Sequence, residues 1–193
     1  MEVHNVMPSG HLYHVTNVLP QNLVDLIYSM PWHDLEYQRL EIGNHKRRLI
    51  SNHYQQLIEI HDYALTNIVP SIEQLCGVKF TELHKFSISW WIDEPGFRPR
   101  IHTDGELPSA MQLYWLPQDR TDLGTAFYQN NDKKFVIHEF TNQPNSGYLM
   151  FNSHSVDGKK IDLWHDMLKE VPANTLRLCS YFWFGPYLKF EHT

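Results

Sequence analysis

Cysteine is scarce in this chain, with two among 193 residues, Cys76 and Cys179. Two cannot build a disulfide framework, and each sits in an apolar run where cysteine behaves as a small hydrophobe, so a reducing compartment is expected. Long apolar runs are missing as well. None approaches the roughly 20 residues that span a bilayer, and the first residues lack the basic-then-apolar order of a secretory leader. The expectation is a cytoplasmic protein with no membrane partner. Positive charge is in deficit too, since 16 Lys and Arg against 22 Asp and Glu give a net charge of −6. That balance supplies no general attraction to phosphate backbones, which disfavours nucleic acid as a partner, although His45-Lys46-Arg47-Arg48 forms a local basic run. Internal repeats, low-complexity tracts and linkers are absent, and 42% hydrophobic content over this length suits one well-buried core, a single domain over 1–193.

What is present divides the chain in two. His11 to Leu19 reads as a strand, and a helix follows in which Asn22 can cap and Leu23, Ile27 and Met30 share a face. Trp32 to Ser51 reads as an irregular hairpin with a turn at Gly43-Asn44. Tyr54 to Asn67 carries the longest helical stripe, with Pro70 kinking or restarting it and Gly77 ending it. Beyond Gly77 the period changes to alternation. In Phe80 to Asp93, Phe86, Ile88, Trp90 and Ile92 oppose Ser87, Ser89 and Trp91, as in a half-buried strand. Strands are then predicted over Arg98–Asp104, Ala110–Leu116, Thr125–Gln129, Phe135–Phe140, Gly147–Asn152, Trp164–Lys169 and Leu176–Phe184, separated by turn residues. Eight short strands at this spacing predict a jelly-roll or cupin-like sandwich, mainly β, with N-terminal helices packed on its outside.

Within this frame, His102 and Asp104 lie two apart in an extended segment, so one imidazole and one carboxylate point to the same side. With a histidine from later in the chain they would form a 2-His-1-carboxylate facial triad, an Fe(II) site with open positions. Among 13 histidines, such a pair is also what a polar strand face presents. Arg177 is a permanent charge inside an otherwise apolar strand. Such a group needs an anionic partner, either a surface acid beside an edge strand or the carboxylate of a bound acid.

His102-x-Asp104, a histidine His165 on the seventh strand and Arg177 twelve residues later form an ordered set that resembles the Fe(II)/2-oxoglutarate-dependent dioxygenases. Glu94-Pro95-Gly96-Phe97 before the first pair and Leu123-Gly124-Thr125-Ala126-Phe127 after it resemble the prolyl-hydroxylase-like branch. The resemblance covers roughly Phe86 to Phe184. It implies a double-stranded β-helix core over 80–186 supported by 1–79, with Fe(II) held by His102, Asp104 and His165. It also implies that Arg177 pairs with the distal carboxylate of 2-oxoglutarate. The implied reaction uses O2, with ascorbate as a reductant, and hydroxylates a small molecule or peptide side chain while releasing succinate and CO2.

The sequence departs from that pattern where Cys179 stands two residues after the arginine in place of a hydroxyl, so either another group such as Tyr114 or Trp115 supplies the hydrogen bond or affinity for the cofactor is lower. For the third ligand, His154 in a turn-rich loop competes with His165. His165 is favoured because ligands belong on rigid elements, and a short turn at Val171–Asn174 would set its strand beside that of Arg177. The tryptophans Trp90, Trp91, Trp115, Trp164 and Trp183, with Tyr181, are read as core rather than as a substrate box. A metal-dependent cupin isomerase and a non-enzymatic jelly-roll binding module are the other classes that fit the predicted fold.

Overall fold

Thirteen strands and three α-helices run in order through the residues that the computed structural model describes, 1–39, 46–105, 107–152 and 161–189. Strands β1 (Glu2–Asn5) and β2 (Leu12–Thr16) precede α1 (Gln21–Ser29), and β3 (Tyr37–Arg39) and β4 (Arg47–Ile50) precede α2 (Gln55–Tyr63) and α3 (Val69–Cys76). Then come β5 (Val78–Phe80), β6 (Ser87–Asp93), β7 (Ser109–Leu116), β8 (Thr125–Tyr128) and β9 (Val136–Phe140). The last four are β10 (Ser146–Phe151), β11 (Trp164–Met167), β12 (Arg177–Trp183) and β13 (Tyr187–Lys189). The chain is mainly β. Eight strands form one antiparallel sheet in the order β1-β2-β10-β7-β12-β6-β4-β3, three form a smaller sheet β11-β8-β9, and β13 pairs with β5.

Alternation along the strands sorts side chains into two cores. Ile88, Trp90 and Ile92 of β6, Met111, Leu113 and Trp115 of β7, and Leu178 and Phe182 of β12 join helix residues Ile27, Leu57, Ile60, Ala64, Ile68 and Ile72 in one apolar cluster. The helices therefore cover one face of the large sheet. Residues of the opposite parity, Ala110 and Tyr114 of β7 and Tyr148 and Met150 of β10, meet Phe127 and Phe140 of the small sheet in a second cluster. There Phe127 stands edge-on to Tyr148 at 4.8 Å and to Phe140 at 5.6 Å. The two sheets thus form a sandwich of jelly-roll type, and the second core ends at a polar cavity between them.

Local chemistry explains where the elements stop. Gly77 closes α3 in the left-handed conformation, φ +62°, which glycine adopts without a Cβ penalty. A π turn at Ala64–Ile68 separates α2 from α3, just before Pro70, which can neither donate to the ladder nor fit beneath a regular preceding turn. Helix α1 starts at Gln21 with Pro20 at its N-cap and no side-chain cap, so Asn22 lies inside the helix and does not cap it.

The predicted strand over Arg98–Asp104 is reduced to a single bridge, His102 opposite His165. Pro99 removes one backbone donor from that segment, and Pro95 and Pro108 bound it on either side. Strands β1 and β13 carry too few residues to show a period. The turn expected at Gly43-Asn44 lies outside the described residues, but β3 and β4 on either side of it do pair, Tyr37 with Ile50.

Strands β10 and β7 approach closely at Gly147, where a Cβ would collide with the backbone carbonyl of Gln112. Gly147→Ala should therefore force the two central strands apart and cost about 1–3 kcal/mol, the range for overpacking a core. A lowered midpoint in urea unfolding is the expected result, and an unchanged midpoint would contradict the close approach.

Candidate metal centre

His165 comes from β11 and Asp104 and His102 from the loop before β7, yet their ligand atoms lie within 4.8 Å of one another. The bridge achieves this, because His102 N–H donates to the His165 carbonyl at 3.0 Å and His165 N–H donates back at 2.8 Å. Both rings are oriented by the same local device. Nδ1 of His102 donates to the Arg100 carbonyl at 2.8 Å and Nδ1 of His165 to the Leu163 carbonyl at 3.0 Å, which leaves each Nε2 with its lone pair free. Each Nε2 lies 3.6 Å from an oxygen of Asp104. His165 is buried and stacked on Phe127 at 4.9 Å, while His102 is more exposed at the cavity mouth. Burial holds the His165 pKa below its ordinary value, which favours the neutral imidazole that a metal requires.

Asp104 is fixed although its segment is not a strand. Tyr181 donates its hydroxyl to Oδ2 at 2.5 Å, and the Asp104 carbonyl accepts from Leu107 N–H at 2.8 Å and from the Asn152 amide at 3.1 Å. Burial and then the Asp104 charge raise the Tyr181 pKa well above normal, so the phenol remains a donor. A cavity of about 180 Å³ opens beside these residues, and its lining includes Trp91, Gln112, Tyr148, Trp183 and the two arginines Arg47 and Arg177.

Arg177 is 1% exposed, and its partner is neither a surface acid nor an external one. Its Nη1 donates to Asp93 Oδ2 at 2.6 Å and its Nε to the Leu123 carbonyl at 2.8 Å, while Nη2 is buried with no partner. Asp93 is fully buried and is also gripped by Arg47, whose Nε and Nη2 reach its two oxygens at 2.5 and 3.1 Å. Arg47 in turn lies against the faces of Trp91 and Phe97. Two guanidinium groups thus share one carboxylate, a surplus of one positive charge at the cavity wall.

The other expected residues separate by strand parity. Tyr114 and Cys179 lie on the Arg177 side: the Tyr114 ring is 5.2 Å from the guanidinium, and the Cys179 sulfur is 3.6 Å from Nη1. The Tyr114 hydroxyl is buried and makes no hydrogen bond of normal geometry, with Thr125 the polar group beside it. Trp115 faces the helices, and its indole N–H is satisfied by Ser180 at 2.9 Å. His154 lies outside the described residues.

Two expectations are corrected. His165 and Arg177 are not ladder neighbours, because β11 belongs to the small sheet and β12 to the large one; they meet across the cavity. Trp91, Tyr181 and Trp183 line that cavity, whereas Trp90 and Trp115 belong to the helix-side core. Sequence reading missed Asp93, Arg47 and the role of Tyr181. Alternation along β12 would have found Tyr181, which shares a face with Arg177, and alternation along β6 would have set Asp93 on the cavity side with Trp91.

Comparison with solved structures identifies the fold. A prolyl-4-hydroxylase from Pseudomonas putida matches over 91% of this chain and 92% of its own at 17% identity, TM-score 0.58. The viral collagen prolyl hydroxylase of Paramecium Bursaria Chlorella virus-1, in its 2OG complex, matches over 94% and 97% at 11% identity, TM-score 0.54. HygX from Streptomyces hygroscopicus, with nickel and 2-oxoglutarate bound, matches over 91% and 83% at 10% identity, TM-score 0.61. No protein-family model matches the chain, and no curated protein does. The fold is that of the 2-oxoglutarate and Fe(II) oxygenases, prolyl hydroxylases among them.

The shared carboxylate makes the two ends of the ion network unequal. Asp93→Ala leaves the buried Arg177 and the half-buried Arg47 without their shared anion and should cost about 3–5 kcal/mol of stability. Arg177→Leu leaves Asp93 with its two bonds from Arg47 and should cost clearly less. Urea unfolding of both variants checks the order, and equal losses would mean that Arg47 does not hold the carboxylate.

Proposed function

We propose that this protein is a non-haem Fe(II)- and 2-oxoglutarate-dependent oxygenase that hydroxylates a small molecule or a peptide side chain. The observation that carries this is the convergence of two free Nε2 atoms and one carboxylate beside a cavity whose wall holds an unspent edge of a buried arginine. The donor set fits the metal: two neutral imidazoles and one carboxylate on a single side are a facial triad, which leaves room for a chelating acid and O2. Bound there, the metal and 2-oxoglutarate would supply oxidation of a C–H bond by O2, coupled to decarboxylation of the oxoacid to succinate and CO2.

The chain's own residues would do the positioning. His102, Asp104 and His165 hold the ion, and their backbone bridge, the Phe127 stack and the Tyr181 hydrogen bond keep the ligands from drifting. Arg177 takes the distal carboxylate of the oxoacid through its free Nη2, and the Tyr114 hydroxyl, buried nearby, is placed to add the donor that Cys179 is too weak to provide. Trp91, Pro99, Leu107 and Trp183 form the walls that exclude water and receive substrate. In this reading the two sheets are the halves of a double-stranded β-helix, with 80–186 as its core and 1–79 as its support.

Adding Fe(II) and 2-oxoglutarate without oxygen should give a weak visible charge-transfer band, and admitting air with ascorbate should release succinate slowly even without a prime substrate. His165→Ala should abolish metal uptake, the band and succinate release together, while His154→Ala should retain all three. A wild-type protein that shows neither band nor succinate would defeat the oxygenase reading, and loss of metal in His154→Ala alone would move the third ligand.

A further inference from the structure

The second arginine, Arg47, is not needed to hold a metal or to touch the oxoacid in the reading above, and its position calls for an explanation. Arg47 stands directly opposite Asp93 in the β4–β6 register, and Arg177 stands opposite the same Asp93 in the β6–β12 register. The three charges form a row across three strands, cation, anion, cation, with both cations on the cavity. Without Arg47, Asp93 would neutralise Arg177 completely. The cavity wall would then carry no surplus charge, and a carboxylate entering it would meet an arginine already satisfied. With Arg47 present, Asp93 is held by a bidentate fork at 2.5 and 3.1 Å, and Arg177 is left with a charge to share and an unpartnered Nη2.

We infer that Arg47 is a positioning residue for the acid: by neutralising Asp93 it frees Arg177 to bind the distal carboxylate of a dicarboxylic oxoacid. Charge bookkeeping at the wall then closes, with two guanidinium groups against the Asp93 carboxylate and one ligand carboxylate. Asp93 in turn keeps the two cations from lying uncompensated when no acid is bound. The same count predicts selectivity, because a monocarboxylic oxoacid would leave the wall with its surplus charge. This inference rests on the oxygenase reading and adds a residue and a charge rule to it.

The test is binding of 2-oxoglutarate to protein loaded with Ni(II), measured by calorimetry, with Ni(II) affinity measured separately. Arg47→Gln should bind Ni(II) as the wild type does and bind 2-oxoglutarate about tenfold to a hundredfold more weakly, the scale of one unit charge lost about 6–12 Å away at an effective dielectric near 20. Arg47→Lys, which keeps the charge, should retain most of the affinity. The deciding variant is Arg47→Gln with Asp93→Asn, in which Arg177 is again uncompensated and affinity should return to within severalfold of wild type. If Arg47 only shaped the wall through Trp91 and Phe97, or touched the ligand itself, the double variant would stay as weak as Arg47→Gln, and the inference would fall. Wild-type-like affinity in Arg47→Gln would also end it, while leaving the oxygenase reading intact. A wild-type protein that takes up metal but no 2-oxoglutarate would remove that reading and this inference with it.

Discussion

A carboxylate taken wholly out of water must be paired, and Asp93 is paired from both sides along one row of the sheet. Its partners sit on the strands that flank β6, so the ion network is also a register lock for β4, β6 and β12. Slipping any of these strands by one residue would turn its charge onto the helix-covered face, among Trp90, Ile92 and Leu178, where nothing could satisfy it. Register then dictates the site. With Arg177 fixed, Tyr181 lies two steps further along the same face of β12 and reaches Asp104, which ties the large sheet to the candidate ligands on the other side of the cavity.

The candidate metal centre is assembled by substitutes for regular structure. His102 and Asp104 belong to a segment with a single bridge in place of a ladder, and side-chain and loop hydrogen bonds take over the work of holding it. Rigidity at a ligand therefore does not require a strand. It requires that the groups of the candidate centre be held by assigned partners, and here both imidazoles, the carboxylate and the Asp104 carbonyl have theirs. Two of the buried polar atoms that lack a partner among the described residues, Arg177 Nη2 and the Tyr114 hydroxyl, lie together on one wall. Both are donors, and two unspent donors on one wall mark where an acceptor ligand is expected.

Much of this was legible in the sequence, because side-chain parity is a local property. Alternation over Phe80–Asp93 showed which residues of β6 share a face, His102 and Asp104 were visible by their spacing, Arg177 by a charge that did not suit its apolar strand, and His165 by its place in the ordered set. Parity does not reveal which strand lies next to which. That is why β11 and β12 were set side by side when they belong to different sheets, and why the partner of Arg177 was missed: Asp93 stands 84 residues away in sequence and Arg47 a further 46. Arg47 itself was hidden in a basic run. Once β4 is known to be a strand, the run resolves, for Arg47 turns inward to Asp93 while Arg48 pairs with Glu94.

The same distinction bears on how a chain only 9–17% identical to its structural neighbours can keep their fold. The constraints on the sandwich act on classes of residue at alternate positions, apolar toward the helices, aromatic or polar toward the cavity, and many sequences meet them. The constraints on the cavity act on charge and on donors at particular atoms, and few sequences meet those by chance. The remaining cavity walls fall between these limits. Pro99 and Leu107 come from a loop that the ladder does not regulate, whereas Trp91 and Trp183 stand on strands whose register the ion row has already fixed. The cavity wall can therefore vary through side chains of this loop only while the backbone bonds that hold His102 and Asp104 persist, whereas any change on β6 or β12 must first satisfy Asp93.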